Sequence, residues 1–251
     1  MEVKQQRSNS IHGGNKNMTH IHTFEKSEFP DYEKCIGCGS YHSTAQDPPE
    51  LIYEIEEYWS YDNHRSKFEE QIKNLNEEEG TGISKIDMVL KYVPPHAQMV
   101  LEGGCSPGEL LRRLVEKGIT AIGIEPSMRY VEPILRQAPG SHVIHGYFPQ
   151  VFSEYSGNIL DALIFMDVFE HIDDTESFIK AAHRLLKPNG ALICMSPVIM
   201  PDGAFRERDF IAREHCWLYH FNFLDPYLKS FFKDVKWDIW VLGHNVFVAT
   251  K

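Results

Sequence analysis

The chain lacks any apolar run near the roughly 18 residues needed to cross a bilayer, so no membrane insertion is expected. Its N-terminus, MEVKQQRSNSIHGGNKN, lacks the apolar stretch of a secretory signal. Positive charge is also short: 25 Lys and Arg against 36 Asp and Glu leave a formal net charge of −11. Phosphate attraction needs a basic face, so a general nucleic-acid binder is excluded, although a local basic pocket is not. Cysteine is scarce and odd in number, five in all. That argues against a disulfide framework and for a reducing cytoplasm. No internal repeat is present. What remains is 251 residues, 42% hydrophobic and 24% charged, enough for one sizeable core and a small appendage.

The chain divides by composition. Residues 1–18 are polar and rich in Gly and Asn, as a mobile tail would be. Residues 19–50 carry His20, His22, Cys35, Cys38 and His42 but too little apolar material for a core of their own. Residues 51–98 read as a helical lid or linker: one or two helices over 51–78, then another over 82–92 stopped by Pro94-Pro95. Residues 99–251 alternate. Strands are expected at 99–103, 120–125, 142–146, 160–166 and 190–195, with helices near 108–117, 127–137 and 174–186. Nearly continuous apolar strands separated by helices predict a parallel sheet covered on both faces. The end breaks this alternation: VKWDIWV, Leu242-Gly243-His244 and NVFVATK read as an antiparallel hairpin. The fold class is therefore a doubly wound α/β domain with a mostly parallel sheet, an antiparallel C-terminal hairpin and a small N-terminal extension.

The first of these strands runs into VLEGGCSPGEL, a turn of small residues that opens a helix. Ligands of such sheets sit at the carboxyl ends of the strands, although a glycine turn also serves simply to close a strand–helix corner. As a dinucleotide fingerprint the turn fails: counted from Gly104, Ser106 and Glu109 stand at the second and third glycine positions. A carboxylate in the first helical turn opposes a diphosphate, and Glu102 adds a second negative charge. The pair suits a cationic ligand better. The next strand, TAIGIE, ends in Glu125, where an acid can accept both ribose hydroxyls of an adenosine; the alternative is that Glu125 only caps the following helix. Adenosine, positive charge and no phosphate together describe S-adenosyl-L-methionine.

VLEGGCSPG, AIGIEPS, DALIFMDVFEHIDD and RLLKPNGALICMSP, in this order and spacing, resemble the class I S-adenosylmethionine-dependent methyltransferases over about residues 80–251. The resemblance implies a Rossmann-like, seven-stranded sheet. It also implies a glycine turn wrapping the amino-acid end of the cofactor, through Glu102, Gly104, Cys105, Ser106 and Gly108. Glu125 would bind the ribose, with Tyr147, Phe148, Asp167 and Val168 near the adenine. Ser106 replaces a commoner glycine, and Tyr147-Phe148 replace an acid often found after the third strand, which favours stacking on the adenine. YEIEEYWSYDNHRSKFEEQ is similar to the pre-domain helix of methyltransferases of sugar and surface-polysaccharide biosynthesis. There the helix closes over the cofactor, which implicates Tyr58, Trp59, Tyr61 and His64; the alternative is that these aromatics bolt the helix to the core.

Methyl transfer is an in-line displacement in which proximity and exclusion of water dominate. A general base is needed for a poor nucleophile such as a sugar hydroxyl. His171 at the fourth strand's end is the candidate, with His215 next; a packing role for His171 is the alternative. The long segment 196–223 is placed to build an acceptor pocket, and Arg206, Arg213 and His220 within it point to a small, anionic or sugar-derived acceptor. Surface pairing of these arginines with Glu207, Asp209 and Glu214 is the competing reading. Cys35-Ile-Gly-Cys38-Gly has the spacing of a zinc knuckle, and His20 and His22 are the candidates to complete it. Zinc would explain how so apolar-poor an arm folds; two unliganded thiols are the alternative. Two other functions stay open at this stage: a nicotinamide-dependent oxidoreductase, and a non-catalytic methyltransferase-like scaffold whose arm binds a partner.

Overall fold

The computed structural model describes residues 10–12, 19–45, 61–79, 82–241 and 244–251. Of the expected tail, only β1 (Ser10–His12) falls among them, paired antiparallel with β2 (Thr19–Ile21). The arm is a meander of three short strands, β3 (Phe24–Lys26), β4 (Tyr32–Cys35) and β5 (Tyr41–Ser43). The lid segment contains α1 (Tyr61–Asn76), the two-residue strands β6 (Glu78–Glu79) and β7 (Ile83–Ser84), and α2 (Lys85–Leu90). Ser84 caps α2 by accepting the Asp87 N–H, which satisfies one of the helix's orphan donors.

From Met99 the predicted alternation holds. The elements run β8 (Met99–Gly103), α3 (Glu109–Glu116), β9 (Thr120–Glu125), α4 (Met128–Gln137), β10 (His142–His145), β11 (Leu160–Met166), α5 (Thr175–Leu185) and β12 (Leu186–Ile199). After β13 (Trp217–His220) and α6 (Phe221–Lys229), the hairpin of β14 (Asp234–Val241) and β15 (His244–Thr250) closes the chain. The parallel order is β10-β9-β8-β11-β12, extended by β15 and then β14, both antiparallel. Side chains alternate at period two, as pleating requires. Leu101, Leu163, Phe165, Leu192 and Phe247 pack on the face covered by α5 and α6. Val100, Ile164, Ile193, Met195 and Val246 pack on the face covered by α2, α3 and α4. Both faces are apolar because both are covered; each fully buried Leu, Ile or Phe contributes about 1.5–3 kcal/mol.

Two features differ from the sequence reading. The strand expected at 190–195 begins earlier: α5 stops at Leu185, and β12 already pairs with β11 at Leu186, with a register irregularity that absorbs the extra residues. The sheet is also wider than seven strands. The far end of β12 pairs with β13, and β13 pairs with β5, so the arm's meander continues the sheet to eleven strands. Pairing between residues 41 and 218 leaves no local trace in sequence. The sheet's order reverses between β8 and β11, and the crevice that such a switch point creates is lined by most of the predicted cofactor residues. No helix among the described residues is long and apolar enough to cross a membrane.

Candidate active site

A cleft of about 1400 Å³ opens above the carboxyl ends of β8, β9 and β11, and the Tyr147–Ser153 stretch and α5 continue its walls. Its floor is the glycine turn. A Cβ on Gly103 would lie 2.1 Å from the Phe165 ring, and one on Gly104, at φ +67°, would lie 2.6 Å from Val168. Close packing on Phe165 and Val168 thus requires glycine at both positions, and both line the cleft. The amides of Gly104 and Cys105 both donate to the Ile124 carbonyl, at 2.9 and 3.1 Å, which fastens the turn to β9.

Two carboxylates meet in this corner. Glu102 is 3% and Glu125 4% exposed, yet both line the cleft. Burial, reinforced by the charge of Glu125, raises the Glu102 carboxyl well above its ordinary range, and its Oε2 is buried without a hydrogen-bond partner. Glu125 accepts the Ser127 N–H at 2.8 Å; burial outweighs that bond and pushes the carboxyl up to about 7. Paired acids with an orphaned oxygen have room for a positively charged, hydroxyl-bearing ligand. Tyr147, Phe148, Ser106, Asp167 and Val168 line the same cleft.

Asp167 is more tightly held than its position in the sequence reveals. Burial would raise its carboxyl, but His244 and the ammonium of Lys85 hold it well below the usual range. The His244 Nε2 stands 2.6 Å from Asp167 Oδ1, and Lys85 bonds Oδ2. Neither Lys85 nor His244 was expected at the site. They arrive from α2 and β15, 82 and 77 residues from Asp167 along the chain, and no motif marks them.

His171 lines the cleft. Its Nδ1 lies 2.8 Å from the Glu214 carbonyl, which can only accept, so Nδ1 carries the proton and Nε2 is left as the basic nitrogen. His215 is buried, does not line the cleft, and donates through Nδ1 to the Asp209 carbonyl at 2.6 Å. The two imidazoles stand edge to face, 4.8 Å between centroids. His215 is thus a neighbour of the candidate base rather than a second base at the cleft.

Other expected residues fall elsewhere. Cys105 is fully buried in the core against Gly123, and Gly108 packs on Ile134 at the start of α3; both shape the turn without lining the cleft. Glu109 is also turned away from it. Burial works against its charge, but Arg112, Asn76 and Gln137 satisfy it and keep its carboxyl low, so its supposed repulsion of a diphosphate is quenched. Arg206 is not a free cation for an acceptor: it forms a two-pronged pair with Asp209, at 2.7 and 2.8 Å, and bonds His244. Arg213 is exposed outside the cleft. His220 caps α6 by accepting the Asn222 N–H at 3.1 Å, and burial lowers its pKa. Tyr58 and Trp59 lie outside the described residues. Tyr61 and His64 lie in α1, but their side chains are not among those described.

In the arm, His22, Cys35 and Cys38 come together, their ligand atoms all within 4.8 Å of one another. The neighbouring Cys35 sulfur and burial raise the Cys38 thiol. His42 is engaged elsewhere, 3.3 Å from Asp173. His20 lies in β2, and its side chain is not among those described.

A methyltransferase-domain family profile matches residues 57–233. An uncharacterised methyltransferase of Oceanobacillus iheyensis is 34% identical over 110 residues, 43% of this chain and 51% of that protein. The chain thus spans about half the length of that relative. A ubiquinone biosynthesis O-methyltransferase of Xylella fastidiosa is 28% identical over 161 residues, 54% of this chain and 65% of that one. Among solved structures, phosphoethanolamine N-methyltransferase 2 of Haemonchus contortus, in complex with S-adenosyl-L-methionine, superposes with a TM-score of 0.63 at 16% identity, over 84% of this chain and 61% of that one. An O-methyltransferase family protein of Burkholderia thailandensis gives 0.62 at 14% identity, over 80% and 64%. At these identities the structural likeness is one of fold.

Proposed function

The chain belongs to the class I S-adenosylmethionine-dependent methyltransferases, and from that premise we propose that it methylates a hydroxyl of a small acceptor. The observation that carries the cofactor assignment is the corner of Glu102 and Glu125, where a buried carboxylate oxygen waits for a partner. S-adenosyl-L-methionine brings what that corner requires: positive charge, two ribose hydroxyls and no phosphate. When bound it supplies an electrophilic methyl group on a sulfonium sulfur.

The chain's own residues do the rest. Glu125 accepts the ribose hydroxyls and Glu102 faces the positive charge. The backbone of Gly103 and Gly104 admits the amino-acid end, and Tyr147 and Phe148 flank the adenine. Val168 and Asp167 close the floor, Asp167 being held in place by Lys85 and His244. His171 takes the acceptor's hydroxyl proton at Nε2, because the Glu214 carbonyl occupies its Nδ1–H. A positioned base of this kind contributes about 10²–10⁴-fold.

An oxygen acceptor agrees with the names of the ubiquinone O-methyltransferase relatives. An anionic or sugar-derived acceptor, as in glycan or surface-polysaccharide precursor synthesis, is the narrower form of this reading. Lys180 and Arg184 line the outer cleft, but Lys180 pairs with Glu176 and Arg184 donates to the Phe152 carbonyl, so they add little to it beyond Arg206 and Arg213. A reducing cytoplasm suits the five free thiols. Zinc belongs to this reading as a structural ion of the arm, outside the methyl-transfer chemistry.

The test is methyl transfer from labelled cofactor to a panel of small hydroxyl compounds, neutral and phosphorylated. His171→Ala is expected to lower turnover by about 100-fold or more while leaving S-adenosylhomocysteine affinity within twofold. Unchanged turnover in that variant would remove His171 from the base role.

A further inference from the structure

We propose that His22, Cys35 and Cys38 bind one zinc ion, and that this ion clamps the arm on which the acceptor side of the cleft is built. The first part stands on the arm alone; the second rests on the methyltransferase reading above.

The three ligands are gathered by local backbone geometry. Cys35 ends β4, and the chain turns back at once: the Gly39 N–H donates to the Cys35 carbonyl at 2.9 Å and the Cys35 N–H to the Ser40 carbonyl at 2.8 Å. Gly39 sits at φ +78°, a conformation that glycine adopts without penalty. His22 is brought over this turn because the next residue, Thr23, accepts the Ile36 N–H at 2.9 Å. The His22 Nδ1 then stands 3.7 Å from Cys38 Sγ. Around a tetrahedral zinc, with bonds of about 2.3 Å to sulfur and 2.0–2.1 Å to nitrogen, ligand atoms lie roughly 3.5–3.8 Å apart.

The chemistry favours zinc over a hard cation. Two sulfurs and an imidazole are soft or borderline donors, which magnesium and calcium avoid. His22 is 0% and Cys35 1% exposed, so the ion would be shielded from water on most sides. The Ser40 hydroxyl lies 3.3 Å from Cys38 Sγ, placed to steady a thiolate. The His22 ring is wedged among Phe24, Trp217 and Phe223, at 5.0–5.7 Å between centroids, which fixes the imidazole plane.

The arm needs such a staple. Its strands are three or four residues long, shorter than the typical length of about five or six. Yet it supports the wall beside the candidate base. β5 pairs with β13, and the Ser43 N–H donates to the Cys216 carbonyl at 3.0 Å. The Tyr32 hydroxyl donates to the His215 carbonyl at 3.1 Å, and His42 reaches Asp173 at 3.3 Å. Cys216 and Asp173 line the cleft next to His171. None of these contacts reaches Glu102 or Glu125.

The experiment uses the full chain, purified without added metal. Elemental analysis should find close to one zinc per chain, and Cys35→Ser with Cys38→Ser should lose it. Because that double variant could misfold, cobalt replaces zinc in the unmodified chain as a second reading: a thiolate-to-cobalt absorption band is expected. On chelation, hydrogen exchange should rise at least tenfold at Tyr41–Ser43 and Trp217–His220 but not at β8 and β9. S-adenosylhomocysteine affinity should stay within twofold. Zinc below a tenth of an equivalent together with no cobalt band would overturn the site. Unchanged exchange after metal removal would overturn the clamp. Failure to bind S-adenosylhomocysteine, with zinc present, would sink the methyltransferase reading and leave the metal site standing.

Discussion

The two sides of the cleft handle charge in opposite ways. On the cofactor side, Glu102 and Glu125 are buried close together, and Glu102 keeps an oxygen without a partner. On the acceptor side, the charged groups are matched within the protein. Asp209 is 7% exposed and gripped by Arg206, Asp173 meets His42, and both His171 and His215 spend their Nδ1 protons on backbone carbonyls. A buried acid without a partner is costly and persists where a ligand completes it. A matched one is architecture. The contrast explains why the arginines of segment 196–223 are poor evidence for an anionic acceptor, whereas the two acids are good evidence for a cationic cofactor.

The contrast can be broken at three points. The largest effect is expected on the matched side. Arg206→Ala leaves Asp209 as a nearly buried, unpaired charge and should cost about 3–5 kcal/mol of stability, read by denaturant unfolding. A loss under about 1 kcal/mol would mean that the Arg206–Asp209 pair is not a stabilising match. Next is the pH dependence of the ligand-free protein. Glu125 has a folded-state pKa raised to about 7, so the native state keeps a proton that the unfolded chain has already released. Stability from this group is therefore highest near pH 4.5 and declines as pH rises to 7, by up to about 3 kcal/mol, then levels off. Glu125→Gln should remove that share of the slope. An unaltered slope would place the ionisation elsewhere. Smallest is Glu125→Ala at pH 8, where losing two charge-assisted hydrogen bonds should weaken cofactor binding by about 100-fold. A change under threefold would reassign the ribose site.

The parallel sheet was legible because its signals are local and periodic. Apolar runs of five to seven residues, small-residue turns and acids at strand ends mark where β8, β9 and β11 finish and what stands there. Glu102, Glu125, Asp167 and His171 were recognisable for the same reason. Long-range partners were not. Arg206 is recognisable as a cation, but its capture by His244, 38 residues on, is a fact of packing. Lys85 reaches Asp167 across 82 residues with no motif around it. Cys105 reads as part of the cofactor turn, and only the close approach of Gly123 shows that its sulfur points into the core. The arm misled in another way. Few apolar residues predicted a small extension without a core of its own, whereas β13 offers β5 an edge to join and makes the arm part of the main sheet.

The most direct measurement is calorimetric titration of S-adenosylhomocysteine into the folded protein near pH 6.5, repeated in buffers of different ionisation enthalpy. If the buried acids receive the cofactor, binding is one to one and releases protons to the buffer as Glu125 and Glu102 ionise, and Glu125→Gln lowers that release by a large fraction of one proton. Binding with no proton released would contradict the assignment of Glu125, and no binding at all by well-folded protein would contradict the account as a whole.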